Sequence, residues 1–152
     1  MSGELQVQDT EGAYNLCDTK GAYVSFLNLA SVQALSKFVG LEISPSRFRM
    51  NIWMKGLEPF EELTWVDKFS GTIEILVGDC RFRVDDACER CRAIEANPKT
   101  GQYDFKVLES LSEIMEQRVY RSPHRGVRHV LGILAAPLNQ GVIRRQDVIR
   151  LA

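Results

Sequence analysis

The spacing of apolar and polar residues changes several times along this 152-residue chain, and each change marks a short element. Residues 22–29 (Ala-Tyr-Val-Ser-Phe-Leu-Asn-Leu) predict a strand. Ser31 then stands where a cap is needed for a short helix carrying Val32, Leu35, Phe38 and Val39 on one face, and Gly40 ends it. Residues 50–55 predict a second strand, followed over 56–62 by an acidic, proline-containing connection that leads to Trp65. The clearest signal is a hairpin: 72–77 and 80–85 flank the two-residue turn Gly78-Asp79, and Cys80, Phe82 and Val84 alternate with Arg81, Arg83 and Asp85. That alternation turns Cys80 toward a core. Farther on, residues 92–96 predict a strand that ends in the Asn-Pro-Lys-Thr-Gly turn of 97–101. Leu108, Leu111, Ile114 and Met115 then recur at helical spacing. The last part predicts a strand over 127–135, a turn over 137–141, and short strands at 142–143 and 148–151. Many short strands with two short helices predict a mainly β fold, a β-barrel, as a single domain over 22–152 behind a lead-in segment at 1–21.

Composition narrows the class without changing that picture. At this length a single domain buries roughly two-thirds of the surface of its unfolded chain, and 45% apolar with 26% charged residues is ordinary for a soluble globular protein. No apolar run approaches the ~20 residues of a membrane helix, and no charged-then-apolar leader follows Met1, so the expectation is a cytoplasmic protein without membrane association. The net charge of −1 conceals an asymmetry: residues 117–152 hold seven arginines against the single acid Asp147, which leaves the excess of acids in the rest of the chain. A positive end suits an anionic partner. The aromatic-interleaved basic ribbon of RNA-binding modules is missing, which favours a phosphorylated cofactor over nucleic acid.

Cysteines and arginines carry the candidate chemistry. Cys17, Cys80, Cys88 and Cys91 read as reduced thiols, and they do not fall into the two close pairs of a four-cysteine zinc site. Cys88 and Cys91 lie among Arg81, Arg83, Arg90 and Arg92, a setting that favours thiolate, the form that attacks and ligates. The strand–turn–helix context of a thioredoxin-like dithiol is missing, and incidental loop cysteines remain the bland alternative. In Arg47-Phe48-Arg49-Met50-Asn51, a strand face presenting Arg47, Arg49 and Asn51 together would suit a phosphate and a heterocycle; an edge strand with solvated arginines is its alternative. His124 and His129 have no nearby acid to orient them, so anion recognition or surface placement suits them better than base or metal duty. No phosphate loop, nucleophile elbow or His-Glu-x-x-His occurs.

Five features in order, namely Arg47-Phe48-Arg49-Met50-Asn51, the 56–65 segment, Gly78-Asp79, Cys88-Glu89-Arg90-Cys91 and the 97–101 turn, resemble the MOSC family, the molybdenum cofactor sulfurase C-terminal domain. The closing pattern of Gly126-Val127, Gly141-Val142-Ile143 and Asp147-Val148 extends the resemblance to most of the chain. It implies a β-barrel that binds molybdenum cofactor, with Cys91 as metal ligand and catalytic sulfur, and with Arg49 and Asn51 as cofactor contacts beside Arg47, Cys88 and Arg90. Two activities follow from it: an oxidoreductase acting on N-hydroxylated compounds, or a non-enzymatic carrier that holds sulfur as a persulfide on Cys91 or holds the cofactor itself. It also implies an electron-donor or cofactor-delivery protein as partner. Two positions depart from the family pattern: Met50 stands where the family has proline, and Asn97-Pro98-Lys99 stands for its usual Asp-Pro-Asp.

Overall fold

The computed structural model describes residues 6–7, 22–67, 72–118 and 129–152. Seven strands form one sheet in the order β1-β3-β2-β6-β5-β4-β7, where β1 is Gln6–Val7, β2 Val24–Asn28, β3 Ile52–Met54, β4 Glu74–Val77, β5 Cys80–Glu89, β6 Val130–Pro137 and β7 Ile149–Leu151. Helices α1 (Leu29–Val39), α2 (Glu61–Asp67) and α3 (Val107–Gln117) complete it, with two 3-10 turns at Pro45–Phe48 and Arg92–Glu95. Among the described residues β1 and β7 do not pair with each other, so closure of the sheet into the expected barrel is not seen among them. The mainly β character holds, and α2 adds a third helix. Gln6–Val7, inside the expected lead-in, supplies the edge strand beside β3.

The hairpin signal was sound. Cys80, Phe82 and Val84 are buried while Arg81 and Arg83 are exposed, and Val77 pairs with Cys80 across the Gly78-Asp79 turn. Beyond Asp85 the strand continues to Glu89, where strict alternation had stopped predicting one. Register shifts at Val84/Asp86 and Ala87/Glu89 explain the difference, because each irregularity bends the strand and breaks its period of two. The bends carry the chain from the sheet centre to Cys88 and beyond.

Other elements correct the expectations. Helix α1 is capped by Asn28, whose side chain accepts from the Ala30 N–H, and not by Ser31, which lies buried within the helix. Gly40 ends it at φ 75° as expected, although Phe38 is 38% exposed rather than turned inward. Residues 92–96 contain a 3-10 turn instead of a strand, and 142–143 have no strand pairing. The acidic connection runs into α2, a helix too short for its period to be legible. The helical spacing at 108–115 and the C-terminal strand are observed as α3 and β6.

A crossover through α1 makes β2 and β3 parallel, whereas the other paired strands run antiparallel. Buried residues on both faces of the sheet include Phe26, Leu27, Ile75, Val84, Leu131 and Ile133, and the Phe26 and Phe82 rings meet edge to face at 5.2 Å. No helix among the described residues is long and apolar enough to cross a membrane.

Candidate functional site

The two 3-10 turns are locked to each other by arginines that reach across in opposite directions. From the first turn, Arg47 donates through Nη1 to the carbonyls of Glu95 (3.2 Å) and Ile94 (3.5 Å), and through Nη2 to Asp104 Oδ2 at 2.7 Å. Its guanidinium also stacks over the Phe105 ring at 4.9 Å. Asp104 accepts a second bond from Asn97 Nδ2 at 2.9 Å, which closes the loop after the second turn. The Arg47 guanidinium, aided by Asn97, holds the Asp104 carboxyl below the usual carboxylate range. In the reverse direction, Arg90 donates through Nη2 to the Phe48 carbonyl at 2.6 Å, and through Nη1 to Cys88 Sγ at 2.9 Å and Met50 Sδ at 3.3 Å.

This arrangement separates residues that the strand-face expectation had grouped. Strand β3 begins only at Ile52, so Arg47 and Arg49 do not alternate along a strand. Arg47 is 5% exposed and serves as a structural brace. Arg49 takes the left-handed conformation (φ 52°, ψ 38°) directly after the turn, and it is exposed, with no hydrogen bond or ion pair of its guanidinium among the described residues. A non-glycine residue in that region is strained, and such strain gathers at functional positions.

Asn51 is half committed. Its Oδ1 accepts from the Ser25 N–H (2.9 Å) and the Ser25 hydroxyl (2.7 Å), and its own N–H donates to Ser25 Oγ at 3.0 Å. Because a backbone N–H can only donate, the oxygen must face Ser25; the Nδ2 donors make no hydrogen bond among the described residues.

Cys91 sits just before the second turn with an exposed thiol, and neither flanking arginine serves it. Arg90 donates to Cys88, while Arg92 donates to Glu95 Oε2 at 3.2 Å and stacks over Tyr103 at 4.8 Å. Cys80 is the core cysteine that the alternation predicted, and burial pushes its thiol up, with Asp79 and Asp147 adding to the effect. Cys17, His124, Arg125 and Arg128 lie outside the described residues; the His129 carbonyl accepts from the Arg90 N–H at 2.8 Å. No group of three or more metal-ligating side chains occurs among the described residues.

One cluster was missed by sequence reasoning. Glu62, in the first turn of α2, is fully buried, and it accepts from Asn28 Nδ2 (2.7 Å) and from the Ser31 hydroxyl (3.0 and 3.2 Å). Ser31 Oγ in turn accepts from the Phe60 N–H at 2.8 Å. Burial pushes the Glu62 carboxyl up to about 7, against the opposing pull of these bonds and of a backbone bond at Gly132. Gly132 (φ 79°) sits against the Phe26 carbonyl and the Met50 methyl group, which places it between this cluster and the Arg90 bridge. Within an acidic connection, nothing in sequence distinguishes Glu62 from its solvated neighbours.

The MOSC domain family model matches residues 14–150. Molybdenum cofactor sulfurases are similar to part of the chain: the human protein is 34% identical over 93 residues, 61% of this chain and 10% of its own length. The Bos taurus protein is 40% identical over 74 residues, 49% of this chain and 8% of its own length. The chain thus spans about a tenth of the length of these curated relatives. The crystal structure of YiiM from Geobacillus stearothermophilus shares the fold, with a TM-score of 0.56 at 16% identity over 85% of this chain and 53% of that one. A family match across nearly the whole chain, joined to this fold, makes the protein a member of the MOSC domain family, related to the molybdenum cofactor sulfurases.

Proposed function

We propose that the chain binds molybdenum cofactor at the junction of the two 3-10 turns, with Arg49 and Asn51 as contacts to the cofactor and Cys91 as the metal or sulfur ligand. The observation that supports this is the pattern of spare valence. Arg49, at the exit of one turn, and Cys91, at the approach to the other, are both exposed, and among the described residues neither side chain makes a hydrogen bond and the Asn51 Nδ2 donors have no acceptor. The donor types fit the group: a soft thiol for molybdenum, a forked guanidinium for phosphate, and an amide for a heterocycle edge. When bound, the cofactor supplies a metal centre able to exchange electrons or a sulfur ligand. Arg49 pairs with the anionic end, Asn51 Nδ2 orients the ring system, and Arg47 holds the loop behind Cys91 in place.

The exposure of Cys91, together with relatives named as sulfurases, favours a carrier role. In it the Cys91 thiolate forms a bond to the outer sulfur of a donor persulfide, and the donor leaves as a thiolate. The second reading is an oxidoreductase acting on N-hydroxylated compounds, with Cys91 ligating the metal; the soft donor beside an open approach supports it. Either role calls for a cofactor-delivery or electron-donor protein.

Molybdenum and pterin content of the purified full chain tests the site. Both are expected in wild-type protein and to fall at least tenfold in Cys91→Ser and Arg49→Gln, on the order of a lost charge-assisted contact or ligand. Wild-type protein that takes up neither overturns the proposal. Persulfide on Cys91 without turnover supports the carrier; reduction of a hydroxylamine by loaded protein supports the reductase.

A further inference from the structure

We infer that the outer edge of β7 is a docking site for an extended acidic segment of a partner protein, which adds to the sheet as a further strand. The inference goes beyond the proposed cofactor site and uses none of its residues.

Strand register decides which backbone groups are on offer. In an antiparallel ladder, pairs that exchange hydrogen bonds alternate with pairs that do not, so the backbone groups of successive residues point to opposite edges. The Ala152 N–H donates to the Glu74 carbonyl at 2.9 Å, and β7 pairs with β4 at Leu151/Ile75, Arg150/Leu76 and Ile149/Val77. Ala152 and Arg150 therefore bond toward β4. The N–H and C=O groups of Ile149 and Leu151 point the other way, where β7 has no neighbouring strand among the described residues. Two donors and two acceptors there match the backbone of an added strand.

The side chains define the partner. Cross-strand partners share a face, so Ile149 and Leu151 stand on the side of Val77 and Ile75. Those two and Ile149 are buried, but Leu151 is 42% exposed, and Val148 just before the strand is 41% exposed. Apolar cover on that face stops short of the edge. Arg150 lies on the opposite face, and Arg144 and Arg145 lie in the turn that leads into the strand. All three are exposed, and none of their side chains makes an ion pair among the described residues. Nearby acids are engaged: Glu74 pairs with Arg81, and Asp147 Oδ2 accepts from the Arg144 N–H at 2.7 Å. These arginines belong to the excess over residues 117–152, which the cofactor site leaves unused.

A strand alternating apolar and acidic residues satisfies both faces, with its apolar side chains beside Leu151 and its carboxylates beside Arg150. A second copy does not, because two β7 strands paired about Arg150 set like charges opposite each other. Nucleic acid supplies the charge without a ladder of peptide groups.

The full chain is titrated against a fluorescein-labelled peptide of about eight residues, an ordinary strand length, alternating valine and glutamate. Saturable binding is expected by anisotropy, weakened about tenfold or more in Arg150→Glu, as loss of a charge-assisted contact and its replacement by a like charge require. N-methylation of every second peptide residue should abolish binding in one phase and spare it in the other, since only one set of N–H groups faces β7. Leu151→Pro should also abolish it, because the N–H it removes lies outside the ladder to β4. If that variant fails to fold, the exposed Arg150→Glu and the methylated peptides still decide the matter. Absence of saturable binding, equal binding of a peptide with the same residues in two blocks, or equal binding in both methylated phases overturns the inference. So does tighter binding of a thymidine oligonucleotide, or a wild-type dimer that Arg150→Glu or Leu151→Pro dissociates.

Discussion

Arg47 and Glu62 are both charged residue types removed from water, and the protein accommodates them differently. Arg47 meets an acid, two carbonyls and an aromatic face. Glu62 meets hydroxyl, amide and backbone donors, with no cation among its described partners. A charge given a counter-ion stays charged, and its partner Asp104 is held ionised to lower pH. A carboxyl given only neutral donors is half protonated near neutrality. The contrast teaches that the turn junction is braced independently of pH around neutrality, whereas the contact of α2 with the start of α1 is not.

The strongest way to disturb the Glu62 cluster and the Arg90 bridge at once is Gly132→Ala. A Cβ there collides with the Phe26 carbonyl and the Met50 methyl, at a φ of 79° that side chains rarely adopt. A loss of about 4 kcal/mol in urea unfolding is expected. Next, Arg47→Ala should cost about 3 kcal/mol, because it leaves the Ile94 and Glu95 carbonyls and Asp104 without their donor.

Glu62 sharpens the comparison through pH. Its value in the fold, about 7, lies above the ordinary 4.5, so between those limits the folded state holds a proton that the unfolded state has released. Its contribution is fully present below about 4.5 and is lost as pH rises to about 7, a decline on the order of 3 kcal/mol. Glu62→Gln should flatten that part of the stability–pH profile. A profile equally steep in the variant would show that another group is responsible. Asp104 has the opposite sign: its contribution is present above the ordinary carboxylate value and disappears as pH falls through its lowered one. Arg47→Met should remove that acid-side loss.

The smallest effect separates the two arginines of the first turn. Arg49→Gly relieves a left-handed residue and should stabilise the fold by about 1 kcal/mol, while molybdenum content falls. Arg47→Ala shows the reverse emphasis, with stability lost first. Equal effects of the two variants on both measurements would erase the distinction between brace and contact.

The local pattern was enough for elements that depend on neighbours in sequence. The Gly78-Asp79 hairpin, the burial of Cys80, the Gly40 stop and the α3 stripe all follow from period and turn chemistry, because one strand or helix face meets a continuous core. The five ordered motifs were likewise sufficient to indicate the family, which rests on linear order rather than on geometry. What tertiary structure alone decided is where the charges went. Arg47 and Arg49 are the same residue type two positions apart, yet a 3-10 turn and a left-handed residue send one into the protein and leave the other in solvent. Arg90 chose Cys88 over Cys91, and Glu62 became buried among neutral donors, because partners distant in the chain were brought to them. Electrostatic environment depends on those distances and on the loss of water, and neither is written in local sequence.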